Sequence, residues 1–321
     1  MKNKLRGFMA ALLTCSAILI APIVFAKKYP EHAVQLIVPF SVGGGTDAVA
    51  RAFAKAAQKH IPDGMVVMNK PGAGGAIGWN YMMNAKPDGY TLGVVTVEMT
   101  ILPHLNLFNH TYNDIIPIAQ LNADPAAVIV RADSAYKTIE QLIADAKSRS
   151  GILAMGTSGN GTIYDLAAAA LEEKAKAKFN RVPYQGAGPA ITALLGNQLD
   201  AIAASPGEVA QHLKSGDLRM LAVMADQRVA EFDTVPTLKE KGIDLSIGTW
   251  RGIMGPKGLP EETVSQLKKI VATTVQEPDF QKSLRAMNLG FVYADNTKFK
   301  AIMERDNEFF MNLVTNLGIE K

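Results

Sequence analysis

The chain has 321 residues, with 33 Lys and Arg against 30 Asp and Glu, five histidines and one cysteine. Three of the positive charges, Lys2, Lys4 and Arg6, open an apolar run that ends in Val24-Phe25-Ala26, the pattern of a secretory signal cleaved after Ala26. Without residues 1–26 the charges balance at 30 each and Cys15 is gone, which excludes a disulfide framework, thiolate chemistry and a cysteine-ligated zinc, and argues against nucleic acid or an anionic membrane surface as partner.

A membrane anchor is the competing reading of that leader, but Pro22 interrupts the run and no second stretch of about 18 apolar residues follows. A lipid anchor on Cys15 is a further alternative, although Leu13-Thr14 before it are not the small residues such a site wants. Export without disulfides fits a periplasm, and the length suits two domains.

The element order begins with Leu36-Ile37-Val38, a buried strand. It breaks at Gly43-Gly44-Gly45 and resumes as a helical pattern of Ala48, Val49, Ala52, Phe53 and Ala56, with Thr46 or Asp47 as cap. Glycines there permit φ > 0, and the turn aims backbone N–H groups outward at the positive end of a helix dipole, a ready place for an anion. Residues 65–68 read as a second strand, 69–75 as a second glycine turn, 76–83 as a helix and 91–97 as a third strand. Such alternation gives βαβ units, a parallel sheet covered on both faces and a ligand edge at the carboxyl ends of the strands, where residues 41–47 and 96–98 lie.

From Ile116 the texture changes: an apolar run, a polar break at Asn122-Ala123-Asp124-Pro125, then Ala127-Val128-Ile129-Val130, read as the crossing into a second domain. That domain repeats the rhythm. A helix over 139–147 and a strand over 152–155 lead into Gly156-Thr157-Ser158-Gly159-Asn160-Gly161-Thr162 and an alanine-rich helix. A strand over 181–184 runs into Gln185-Gly186-Ala187-Gly188 and a helix over 189–195. Then come a strand over 199–203 and a helix begun by Ser205-Pro206-Gly207. Residues 219–223 are expected to carry the return crossing and 248–254 to rejoin the first sheet, with helices over 261–276, 279–287 and 297–316 packing on the first domain. The expected division is 27–125 with 225–321 as a discontinuous first domain and 126–224 as the second.

Catalytic readings fail on particular residues. Gly156-Thr157-Ser158-Gly159-Asn160 resembles a nucleophile elbow but has Asn160 in place of the last glycine, and no histidine is marked as its base. No phosphate loop, dinucleotide fingerprint, zinc motif or calcium loop is present, so no cofactor and no metal are expected. Two glycine turns remain, one per domain, neither containing Lys or Arg. Facing each other across a cleft, they would hold a small anion by N–H groups and short hydroxyls. The candidate ligand residues are Ser41, Val42, Gly43, Gly44, Gly45, Thr46, Asp47, Thr96, Thr157, Ser158, Gly159, Asn160, Gly161, Thr162, Tyr184, Gly186 and Ser205. Glu98 is open between a ligand contact and a cap, and Arg251 between a ligand contact and a structural ion pair.

Several stretches carry a resemblance: Tyr29-Pro30, Ile37-Val38-Pro39-Phe40, Gly43-Gly44, Asp47, Arg51, Asn69-Lys70-Pro71-Gly72-Ala73-Gly74-Gly75-Ala76-Ile77-Gly78 and Pro87-Asp88-Gly89-Tyr90-Thr91-Leu92. Pro183-Tyr184-Gln185-Gly186, Gly196-Asn197-Gln198-Leu199-Asp200, Val235-Pro236-Thr237 and Thr249-Trp250-Arg251-Gly252 extend it over the chain after the leader. In order and spacing they resemble the periplasmic solute-binding proteins of tripartite tricarboxylate transporters, the Bug-type or TctC-like family. The resemblance implies an α/β clamshell of the type II-like periplasmic-binding-protein kind, each domain a mainly parallel sheet flanked by helices, joined by two crossover strands. It implies a carboxylate ligand, a di- or tricarboxylic or aromatic acid, held partly through waters between the two glycine loops by a monomeric receptor. Delivery would be to separate membrane permease subunits. The alternative from another class is a hydrolase or lyase using Ser158.

Overall fold

The structure, a computed structural model, describes residues 29–319; the expected export signal and Cys15 lie outside the described residues. β1 (Val34–Val38) is flanked by β2 (Met65–Asn69) and β3 (Thr91–Thr96), both parallel to it, with Val34 opposite Met65 and Gln35 opposite Thr91. The strand reads as an unbroken apolar run because both faces are covered. Leu36 and Val38 belong to the core that holds Val49 and Phe53 of α1 (Gly45–Ala57), while Ile37 belongs to the core that holds Trp79 and Met82 of α2 (Ala76–Met83).

β4 (Ile115–Arg131) is shared between the two parts of the sheet. Its first stretch pairs antiparallel with β9 (Gly248–Pro256), from Ile115 opposite Pro256 to Pro125 opposite Gly248, and β9 also pairs antiparallel with β3. Its second stretch pairs antiparallel with β7 (Ala201–Ala204) and β8 (Leu218–Met224). In that second half β5 (Ala154–Thr157) lies between β6 (Asn180–Pro183) and β7, parallel to both. Each half therefore has three parallel strands continued by antiparallel ones. Helices α3 (Ile139–Ser148), α4 (Ile163–Ala175), α5 (Ala187–Leu195) and α6 (Pro206–Ser215) complete the second half. α7 (Glu261–Gln276), α8 (Pro278–Ala286) and α9 (Asn296–Leu317) pack back on the first, against α1 and β4.

The polar stretch 122–125, expected as a break, is the middle of one continuous strand. Its side chains tolerate burial because they are bonded: Asn122 Nδ2 donates to Asp124 Oδ2 (2.8 Å) and to Gly290 O (2.8 Å), and Gly290 N–H donates to Asp124 Oδ1 (2.7 Å). The return runs over 225–247: β8 pairs within the second half, and where β8 ends and β9 approaches, Ile247 N–H donates to Met224 O and Ala126 N–H to Ile247 O. A short strand missed in the sequence, β10 (Phe291–Asp295), adds to β4 opposite Asn122 and Ala119.

Candidate ligand cleft

The two helices that follow the Gly43–Gly45 and Gly159–Gly161 turns begin alike. Gly44 is the N-cap of α1, and Asp47 reaches back to accept from Gly43 N–H (3.2 Å). Thr162 is the N-cap of α4, and Asp165 accepts from Gly161 N–H (2.9 Å). An arginine holds each aspartate: Arg51 Nε donates to Asp47 (3.0 Å) and Arg181 Nη1 to Asp165 (2.7 Å). Neither Thr46 nor Asp47 is the cap of α1; Asp47 closes the turn from inside the first helical turn. The left-handed backbone falls on Gly43 (φ 89°), whereas Gly44 is extended (φ −87°). Neither the backbone nor the space at position 44 demands glycine: a Cβ there would meet Gly188 N at 3.5 Å, an ordinary contact.

That contact shows which turns meet. The 41–45 loop sits against 185–188, with Ser41 N–H donating to Gln185 O (3.2 Å) and a Cβ on Gly188 falling 3.1 Å from Gly43 C and Gly44 N. The 158–162 loop lies against 72–75 and its neighbours: a Cβ on Gly74 would be 3.2 Å from Leu102 and 3.5 Å from Thr162 Cγ2. Four glycine turns thus interleave, two from each half.

Two buried glutamates cross between the halves. Glu98, just beyond β3, accepts from Ile163 N–H at the first position of α4 (3.2 Å) and from Thr96 Oγ1. Glu208, on α6, accepts from Gly45 N–H at the first position of α1 (2.9 Å). Each helix N-terminus, partly positive by its dipole, is met by a carboxylate of the opposite half. Glu208 also accepts from Tyr164 OH (2.6 Å) and from Ser205 N–H (2.9 Å) and Oγ (3.1 Å). Arg251, on β9, is 2 % exposed and donates from Nη2 to Glu208 (3.1 Å), from Nη1 to Asp124 (3.0 Å) and Asn122 (2.8 Å), and from Nε to Thr46 Oγ1 (3.1 Å). Arg251 is therefore an internal ion-pair partner and Glu98 a buried helix cap. Burial pushes the Glu98 carboxyl above its ordinary range, against the bonds from Thr96 and Ile163 that oppose it.

A small cavity of about 20 Å³, space for roughly one water, lies among these groups. A cleft of about 620 Å³, which shares Ser41 with it, is lined by Ser41, Ala73, Gly74, Leu107, Gly159, Asn160, Pro183, Tyr184, Gln185 and Pro189, with no charged side chain. Of the residues singled out in the sequence, Ser41, Gly44, Gly45, Thr46, Ser158 and Gly186 line the cavity; Ser41, Gly159, Asn160 and Tyr184 line the cleft. Thr96, Thr162 and Ser205 stand behind, bonded to Glu98, Ser158 and Glu208 respectively, and Thr157 is buried with no partner for its hydroxyl. Val42, Gly43, Asp47 and Gly161 line neither space. Sequence reasoning missed Glu208 and Tyr164; the Ser205-x-x-Glu208 spacing, a capping box on the helix that Ser205 opens, was the available signal for Glu208. Among the described residues no group of three or more His, Cys, Asp or Glu is placed to hold a metal.

The sequence profile of the tripartite tricarboxylate transporter family receptors, TctC, matches residues 49–319. The UPF0065 protein in the gbd 5' region of Cupriavidus necator is 31% identical over 297 residues, covering 92% of this chain and 90% of that one. Among solved structures, a TctC solute-binding protein from Polaromonas, without ligand, is 45% identical with a TM-score of 0.65, covering 90% of this chain and 99% of its own. The periplasmic binding protein BugD is 30% identical with a TM-score of 0.87, covering 91% and 100%. The profile match covers most of the chain and the relatives align over nearly their whole length, and the chain belongs to the tripartite tricarboxylate transporter receptor family.

Proposed function

We propose that this receptor captures a small carboxylate, a di- or tricarboxylic or aromatic acid, in the cleft between its halves and delivers it to the permease subunits of a tripartite tricarboxylate-type transporter. The observation that carries this reading is the cleft of about 620 Å³, lined from both halves by glycine turns and short polar side chains and by no charged group. Backbone N–H groups and the hydroxyls of Ser41 and Tyr184, with Asn160, are the donors for the carboxylate; an anion in a neutral site is held by directed hydrogen bonds rather than by a counter-charge. Residues 27–125 with 225–321 form one lobe and 126–224 the other. The protein works as a monomer in the periplasm after removal of residues 1–26. Among the described residues no helix is long and apolar enough to cross a membrane.

Two observations favour a receptor over a hydrolase acting through Ser158. Its hydroxyl is bonded to Thr162 Oγ1 (2.7 Å), and no histidine lines the cavity or the cleft, His60 being bonded to Glu277 and His104 to Asn307. Calorimetry and thermal denaturation against a panel of organic acids test the reading. A ligand at a hundredfold excess over its Kd adds about 2.7 kcal/mol to the stability and is recovered unchanged, whereas turnover of any panel member would overturn it.

A further inference from the structure

A cavity of about 490 Å³ lies where α3, α6 and β8 meet the returning segment 225–247, and it shares no lining residue with the ligand cleft or the small cavity beside it. The segment is pinned there, with Val223 N–H donating to Pro236 O (3.0 Å) and Leu238 N–H to Val223 O (2.9 Å). The charges in the lining do not balance. Lys137, Arg219 and Lys241 face it with Glu140 as the acid among them, and Lys241 takes Glu140 (2.8 Å). Arg219, the second residue of β8, makes no ion pair among the described residues, and its Nη1 is buried with no hydrogen-bond partner. A guanidinium cannot shed its charge by losing a proton, and a buried polar group left without a partner is costly. Lys137 Nζ is held by the carbonyls of Ala132 (3.2 Å) and Ser134 (2.7 Å), so its ammonium meets no carboxylate and keeps a third N–H.

We propose that this cavity is a second binding site, for an organic oxyanion with an apolar body, whose oxygens pair with Arg219 and Lys137 and whose body rests on Ile139, Met220, Leu221 and Phe232. The volume is that of a small-molecule site, and so is the lining, apolar over much of its extent with a few charged groups to fix orientation. Arg presents a fork that two oxygens can share, and Lys a point charge that any oxyanion satisfies. A phosphate monoester, with close to two charges for two unpaired cations, suits the pair best. Water would occupy the N–H groups but would leave both charges uncompensated and the apolar wall wet. The ligand cleft has no charged side chain, so the two sites ask for different anions.

The proposal does not depend on what the ligand cleft holds, and the test keeps the two apart. Phenyl phosphate is titrated into protein carrying labelled methionine methyl groups, because Met220 lines this cavity and no methionine lines the ligand cleft or the small cavity. The Met220 resonance, assigned with Met220→Leu, is expected to shift to saturation, at an affinity at least about tenfold above that for inorganic phosphate because the ring buries apolar surface. Arg219→Gln, which keeps a polar amide but loses the charge, should weaken phenyl phosphate about ten- to a hundredfold, and Lys137→Gln, at an exposed position, up to about fivefold. Tyr184→Phe, in the ligand cleft, should leave the affinity unchanged. A Met220 signal that stays in place at millimolar phenyl phosphate overturns the proposal, as does binding no tighter than that of inorganic phosphate, or a shift with wild-type affinity in both charge variants. Should Arg219→Gln fail to fold, the Met220 shift and Lys137→Gln decide.

Discussion

A methyl group on Gly45 would stand 2.7 Å from Arg251 Nη2 and 2.8 Å from Glu208 Cγ, closer than relaxed atoms approach, so alanine at this position must push the ion pair aside. Gly45→Ala is expected to lower the unfolding free energy in a urea titration by about 1–3 kcal/mol, and part of that loss should vanish when Glu208→Ala is added. Gly43→Ala is the control. It meets nothing within 4 Å and holds φ at 89°, so it carries only the left-handed backbone cost of about 1–2 kcal/mol and should be additive with Glu208→Ala. Arg251→Met strands two buried carboxylates and is expected to cost about 3–5 kcal/mol. Glu98 makes a prediction about pH. Its carboxyl is raised by burial, so the folded state holds its proton at pH values where the unfolded chain has released it. The resulting contribution is complete below the ordinary value of 4.5 and is lost as pH rises through the raised one. Relative to Glu98→Gln, the wild type should therefore lose stability from about pH 4.5 upward. A difference between the two that does not change with pH would contradict the burial effect.

Among the elements, those with a local cause could be read from the sequence. α2 falls on 76–83 as its pattern requires, and both glycine turns lead from a strand into a helix because apolar run, glycine and the aspartate that closes the turn, Asp47 or Asp165, are near neighbours in the chain. What depends on distant partners was not legible. Asn122 and Asp124 look like a loop until Arg251 is known to lie beside them, and nothing near Gly44 says that its neighbour is Gly188 rather than Gly159. The same limit hid Glu208, whose role is set by Gly45 and Arg251 from the other half. One local device can be tested by itself. Asp165→Ala removes the acceptor for Gly161 N–H and the partner of Arg181 without touching the cavity or the cleft. It should cost about 1 kcal/mol in thermal denaturation, with Asp47→Ala, at the more buried equivalent in α1, costing more.

For the molecule as a whole, a cleft lined from two halves grips its ligand on every side only when the halves close on it, a hinge closure this protein is expected to make. Small-angle scattering should accordingly show a smaller radius of gyration for this protein at saturating acid than without it. An unchanged profile would place the ligand outside the cleft.

The sharing of β4 also bears on the order in which the protein is finished. Strands β5 to β8 and the end of β4 that joins them lie together in one stretch of chain, so the second half has its whole sheet once residue 224 is available. The first half must wait: Val95 needs Gly252, Ile115 needs Pro256, and α1 packs on α7 and α8. Pairings so far apart in sequence are slow to close, and a chain delivered from its N-terminus completes contiguous units before discontinuous ones. The half that carries α1, the first to be made, is thus the last to be completed.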